Sequence, residues 1–483
     1  MFATKMFSVA TGLIFTLLIT RNTTKEQYGI WSNIFDLTAY FILLAAALPF
    51  WITRFVARGR EGAVKTGLVA NLIIALISVT IYIPMVPPIT SALNISEAYL
   101  LLYLVASIQI IESYFIYAIE SVLRTEKPQA IGYGLLIEEL CKIILAYTLI
   151  MKLQGPLLGA MIGFVTAVFI QIAYYIKLLS HDFDQKIQWN YVREWLKGSI
   201  ANIYHLIGTQ IAAIIFILLF IFGGAAARGD YTAASTIASI ISYSIFLSFA
   251  LYPKLLAETN LEDVTTSLKM VLMFSIPMTA GALAIPDSLL IILDPKYREA
   301  TPILSLLAVD TFIATISQFF IWVLFGVEKF DEEAKIPLKQ LTRSSIFKVF
   351  TLSYVHAAIT LPIAFYVLTN FATPDQPIQA AMYVAIINIA THFAMFPVLW
   401  VILRKRVRIH IPWSSIAKYV FASAIMATIL FLIPHPTRLS ATLGITAMGA
   451  IIYFMLLMAI DREVRALLSS IWQEIKFKVK GEV

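Results

Sequence analysis

Apolar residues run in long blocks along nearly the whole chain, separated by short polar stretches. Blocks of about 18 residues or more are long enough to cross roughly 30 Å of hydrocarbon as helices. The pattern predicts fourteen spans, near residues 2–20, 30–57, 66–86, 98–123, 129–151, 156–179, 198–223, 231–256, 266–285, 301–327, 345–369, 378–403, 413–433 and 440–460. One block stands apart because the chain repeats it. Tyr28 to Arg58 is an apolar helix entered by a tyrosine, bent late by Pro49 and closed by Arg54 and Arg58. At a fixed offset of 203, Tyr28, Ser32, Ile34, Tyr40, Ile42, Leu44, Ala47 and Leu48 meet identical residues, and Pro253 lies near the end of the second copy. A second match sets EAYLLLYLVA at 97–106 against EATPILSLLA at 299–308. Repetition over this distance predicts two like halves.

Six spans per half is an even number, so both halves start on the same side of the membrane. They are therefore expected to be parallel repeats about an axis along the membrane normal. The predicted architecture is an all-α polytopic membrane protein. It has an N-terminal six-helix lobe over 1–180, a cytoplasmic linker over 181–197 and a C-terminal six-helix lobe over 198–404. Two additional helices follow over 405–460, then a basic cytoplasmic tail over 461–483. The polar segment 180–199 carries Trp189 and Trp195, which suits an interfacial helix. The opening, MFATKMFSVATGLIFTLLIT, has a basic residue before an apolar run, as a signal peptide does. It lacks a small-residue cleavage site and is expected to remain as the first helix.

Composition agrees. Hydrophobic residues make up 60% of the 483 and charged residues 13%, with a mean hydropathy of +0.83; a soluble domain carries about 25% charged residues. The single cysteine, Cys141, excludes an internal disulfide and a cysteine metal cluster. The net charge of +7 would suggest nucleic acid in a soluble protein. Here the basic residues fall between spans, so membrane lipids are the expected partner and nucleic acid is not. With the N-terminus in the cytoplasm, 28 of the 36 Lys and Arg fall inside, seven outside and one, Lys142, within a span. This asymmetry predicts a cell-membrane protein with both termini cytoplasmic. Two sequons, at Asn22 and Asn94, fall on predicted outer loops.

Two passages resemble the polysaccharide-type flippases of the MOP superfamily, the group that also holds the MATE exporters and the lipid II flippases. The first is TKEQYGIWSNIFDLTAYFILLAAALPFWITRFVARG, with its Tyr-Gly pair, long second helix and basic exit. The second is SLLIILDPKYREATPILSLLA, residues 288 to 308, in which Tyr297, Ala300 and Leu304 match that family's outer turn while its Phe-Gly pair is absent. The resemblance implies a protein that moves a polyprenyl-phosphate- or polyprenyl-diphosphate-linked oligosaccharide across the membrane, with enzymes of glycan assembly as candidate partners.

Such a flippase needs a fixed positive charge for the phosphate and a cavity for the head group. Charge near the bilayer centre costs about 2.5–3.5 kcal/mol or more, so each charged residue in a span is a candidate with a partner to be named. Lys142 is a candidate phosphate contact, and Glu138, four residues earlier on the same face, its structural partner. Glu139 is expected on another face. Arg54 and Arg58 are candidate first contacts for a phosphate, since Arg binds it bidentately; anchoring the inner end of their helix is the plainer role. Asp36, Glu112, Glu138 and Asp310 are candidates for the cavity or for coupling to H⁺ or Na⁺, with interhelical hydrogen bonding as the alternative. His205, His356 and His392 stand at no ligand spacing and are expected to be hydrogen-bonded between helices. Pro49 and Pro253 are candidate hinges. The chain has no GxxxxGK[ST] and no HExxH, so neither cofactor nor metal is expected.

The leading expectation is therefore a transporter rather than an enzyme: a lipid-linked oligosaccharide flippase working by alternating access. A cation-coupled multidrug exporter of the same superfamily is the first alternative. A membrane-embedded glycosyltransferase is the second, and the short outer loops count against it.

Overall fold

The computed structural model describes residues 2–153, 155–179, 185–248, 261–327, 344–373, 375–407 and 409–465. Among them every regular element is helical. Eleven segments are long and apolar enough to cross a membrane. Two further helices stand beside these. Helix α1 (Phe2–Asn22) runs over 21 residues, and α6 (Pro128–Lys152) runs over 25 with Glu138, Glu139 and Lys142 at its middle. The apolar segment Ile200–Phe246 is about twice the length one crossing needs. It contains α9 (Ile200–Ala212) and α10 (Ile214–Ala238), and α10 is broken where Gly224 takes φ 82° and ψ 169°. The protein is thus a multi-pass membrane protein.

The expected loop at 224–230 is a difference. Gly224 alone makes the turn, because its backbone conformation is one that a side chain disfavours, and helix resumes at once. Arg228, placed by the sequence outside the membrane, therefore lies in a helix and is 7% exposed.

The chain divides into two compact units. The first holds Met1–Asp230 and Glu333–Val384; the second holds Tyr231–Glu332 and Ala385–Val483. In the first unit α4 (Ala63–Ala92) packs on α5 (Leu100–Glu126), α6 on α7 (Pro156–Leu178), and α1 on α6. Helix α8 (Trp189–Gly198) forms within the predicted linker. Its Trp189 is exposed, as an interfacial residue should be, but Trp195 is fully buried against Phe55 and Tyr191. In the second unit α11 (Leu261–Ala284) packs against α16 (Trp413–Leu432) and α13 (Thr301–Val327), and α17 (Leu439–Ile460) lies on α16. A short helix, α12 (Pro286–Leu293), leads into a 3-10 turn at Pro295–Ala300, where Tyr297 and Ala300 are buried. Asp287 of α12 holds His435 at 2.7 Å and Arg298 at 3.5 Å, fastening that turn to the connection between α16 and α17.

The second span starts and breaks by local chemistry. Thr24 and Gln27 form a capping box at the start of α2 (Lys25–Ile42). The helix tightens to 3-10 at Leu43–Ala46, and Pro49 opens α3 (Pro49–Ala57) at the first helical position, where its missing N–H costs nothing. The repeated copy turns 3-10 over Ser239–Ser248, which starts earlier in the repeat and overlaps the first copy's stretch. Pro253 lies outside the described residues.

Helices α2 and α10 touch backbone to backbone. A Cβ on Gly29 would lie 1.8 Å from the Ala225 carbonyl oxygen, and one on Gly229 would lie 2.2 Å from that of Lys25. Small residues permit this approach, on which packing between membrane helices depends. Gly29→Leu should therefore destabilise the protein by about 1–3 kcal/mol. Gly12→Ala, where nothing lies within 4 Å, should leave it unchanged. Thermal unfolding of both variants in detergent checks this pair of outcomes.

Candidate functional site

Where α2 loosens, its carbonyls are caught by side chains from neighbouring helices. The Trp51 N–H bonds to the Leu48 carbonyl at 2.9 Å, leaving that of Ala47 to accept from the Ser199 hydroxyl at 2.7 Å. Asn202 donates to the Ala46 carbonyl at 2.9 Å, and Tyr114 to that of Phe41 at 2.9 Å. In return Tyr40 donates to the Gln210 carbonyl at 3.2 Å. The bend at Pro49 is thus a fixed piece of structure in this state, pinned from α9 and α5.

About two turns before the 3-10 stretch at Leu43–Ala46, Asp36 accepts a bidentate pair from Arg228, Nε and Nη2 each at 2.8 Å. The guanidinium also lies 4.7 Å from the centroid of the Phe216 ring. Fork-to-fork geometry is the strongest arrangement this pair can make. Near the start of α2, Lys25 reaches Asp230 at 3.3 Å. These contacts join residues 192 and 205 apart in sequence. Lys142 is therefore not the sole cation within a span, as the sequence implied: Arg228 is a second, and its partner is one of the predicted coupling acids.

Lys142 does meet Glu138, at 2.9 Å, but it meets Glu139 at the same distance. The expectation that Glu139 points elsewhere is corrected. Positions three and four residues apart both face a central side chain, and the long Lys142 stem swings between them. Glu139 is held in turn by hydroxyls of α1, Thr11 at 2.7 Å and Ser8 at 2.5 Å. The result is a buried cluster of two carboxyls, one ammonium and two hydroxyls at the middle of α6.

Arg54 is half-buried, its guanidinium carbon 4.1 Å from the Phe50 ring centroid and 5.6 Å from that of Trp51, while Arg58 is exposed. Arg54 is thus held over an aromatic face and Arg58 is free to move. In the second unit Asp310 lies 2.6 Å from His392 Nδ1. One turn before His392, Asn388 donates to the Tyr231 hydroxyl at 3.4 Å. His205 stacks on Phe350 with centroids 4.4 Å apart. Glu112 is buried with no hydrogen-bond partner for either oxygen among the described residues. No group of three or more His, Cys, Asp or Glu that could hold a metal occurs among the described residues.

No family model matches the chain, and no curated protein matches it in sequence. Solved structures do match in shape. The chain is similar to lipid II flippase MurJ in an inward closed conformation, at 17% identity and a TM-score of 0.64, covering 96% of this chain and 98% of that one. It is similar to an inward-facing multidrug resistance MATE transporter of the MOP superfamily, at 12% identity and 0.61, covering 82% and 95%. The Vibrio cholerae MATE transporter VcmN in its bent form matches at 16% identity and 0.54, covering 83% and 94%. The chain shares the fold of these three structures.

Within this MOP-like fold the sequence reading missed Arg228, His392 and Glu139 as partners of its candidates. Arg228 had one available signal: it stands in an apolar stretch with no turn residue other than Gly223 and Gly224 before it. Removing one side of a buried ion pair strands the other, at a cost of about 3–5 kcal/mol, whereas replacing both with apolar residues is often neutral. Arg228→Met should accordingly lower the unfolding temperature sharply, and Asp36→Leu with Arg228→Met should restore most of it. Thermal unfolding of the single and double variants measures both.

Proposed function

We propose that this protein is a flippase that carries a polyprenyl-phosphate- or polyprenyl-diphosphate-linked oligosaccharide from the cytoplasmic to the outer leaflet of the cell membrane by alternating access. The observation that carries this reading is the extent of the structural likeness. Similarity to the lipid II flippase runs over 96% of the chain, whereas the two MATE transporters cover 82% and 83% of it. In this reading both termini face the cytoplasm and the halves 1–180 and 198–404 act as the moving lobes. Arg54 takes the substrate phosphate first, with its guanidinium already positioned over Phe50, and Arg58 draws the anion toward it. Lys142 serves as a deeper phosphate contact once it leaves Glu138 and Glu139. Pro49 and Pro253 serve as the hinges that absorb the rocking of the lobes.

The cation-coupled exporter remains the second reading, favoured by the buried acids Asp36, Glu138 and Asp310, which already pair with Arg228, Lys142 and His392. Reconstitution of the full chain with a fluorescent polyprenyl-diphosphate oligosaccharide separates the two. Wild type should move the lipid. Arg54→Ala, losing one charge-assisted contact of roughly 1.5–3 kcal/mol, should slow transport by about ten- to a hundredfold. Export of an organic cation against a proton gradient, with no movement of the lipid, would replace this reading with the exporter.

A further inference from the structure

Three of the four acids singled out inside spans have a basic partner, and Glu112 does not. It stands near the middle of α5 (Leu100–Glu126), is 4% exposed, and neither carboxyl oxygen meets a hydrogen-bond donor among the described residues. One turn earlier on the same helix the side-chain carbonyl of Gln109 is also buried without a donor. Positions three apart are neighbours on a helix. Two acceptor groups therefore stand at neighbouring positions, and no donor among the described residues meets either.

An ionised carboxylate only accepts hydrogen bonds, so it would leave Gln109 unsatisfied and add an uncompensated charge within the span. A proton removes both faults. It neutralises the group and supplies an O–H that can turn toward the Gln109 oxygen. The helices packed against α5 supply no alternative counter-charge. Helix α4 carries only Lys65, near its start, and α7 only Lys177, in its last turn. On α2 and α3, Lys25 holds Asp230, Asp36 holds Arg228, Arg54 lies over Phe50, and Glu26 is in the first turn. On α6, Glu138, Glu139 and Lys142 satisfy one another, and Lys152 is in the last turn. Along α5 itself Glu120 pairs with Arg124, and Glu126 ends the helix. The other titratable groups on these helices are Cys141 and tyrosines, among which Tyr82, Tyr103, Tyr114 and Tyr175 each donate to a partner. A metal cation would need a full shell of oxygens, and the orphan acceptors of α5 number three oxygens on two side chains.

We propose that Glu112 is a proton-binding site: it carries a proton in the buried state seen here and gives it up when this face of α5 opens to solvent. That the proton belongs to a transport cycle rests on the flippase reading above; that Glu112 binds it does not.

Infrared difference spectra between neutral and alkaline pH, recorded on the full chain in lipid nanodiscs, test the site without any substrate. Wild type should show the carbonyl stretch of a protonated, weakly hydrogen-bonded carboxylic acid, lost at alkaline pH. The band should disappear in Glu112→Gln and move in Glu112→Asp. No such band in wild type, a band unchanged in both variants, or a band abolished at fixed pH by added Na⁺ would each overturn the proposal. Lipid transport under an imposed pH gradient then tests the role in the cycle. Stimulation by the gradient should be present in wild type and lost in Glu112→Gln; equal stimulation in both would overturn that role. A Glu112 band without any lipid transport would leave the proton site standing and remove the flippase reading.

Discussion

Inside hydrocarbon every backbone polar group must find its partner within the protein, and the break in the second span is where this constraint bears hardest. The shift to 3-10 at Leu43–Ala46 and the missing N–H of Pro49 release carbonyls from the α-helical ladder. Ser199, Asn202 and Tyr114 answer them with side-chain donors. The same bonds set where α9 and α5 meet the bend, and α9 follows directly on α8 through Ser199. A linker helix, a membrane helix and a bend are thereby fastened through one set of carbonyls. A bend stabilised by side chains rather than by its own ladder can change partners at modest cost, since each such bond contributes about 0.5–1.5 kcal/mol net.

The charges obey the same constraint. Asp36 meets a guanidinium fork, Glu138 and Glu139 share one ammonium, and Asp310 meets a histidine. Of these, the α6 cluster has one carboxyl in excess of its cation, with Ser8 and Thr11 spreading the charge of Glu139. Pairing keeps each charge affordable at depth. Glu112 stands outside this scheme, and a bound proton is the simplest neutral state open to it.

Much of the architecture was legible in the chain. The apolar blocks marked out the membrane-length helices because a helix of fixed rise must match a bilayer of fixed thickness. The copy of Tyr28–Leu48 pointed to like halves, and both segments turn 3-10 within the described residues. Tyr297, Ala300 and Leu304, picked out only as motif matches, prove to be buried. Glu138 with Lys142 was readable because both lie on one helix, where spacing fixes proximity. Glu139 was misread because spacing gives the direction of a Cβ and not the reach of a lysine.

What the sequence determined by itself was local or set by the solvent: the membrane class, the spans, the repeat, the capping box at Thr24 and the ion pairs within one helix. Tertiary structure decided the rest. The Asp36–Arg228 fork, the Asp310–His392 pair and the hydroxyls on Glu139 join residues from 82 to 192 positions apart. No periodicity encodes such pairs, because helices that are apolar all round carry almost no signal about which face meets which neighbour. Arg228 shows the limit most clearly. A single glycine in a left-handed conformation at Gly224 turns the chain without a loop, and that one backbone choice moved an arginine from the expected surface into a buried ion pair.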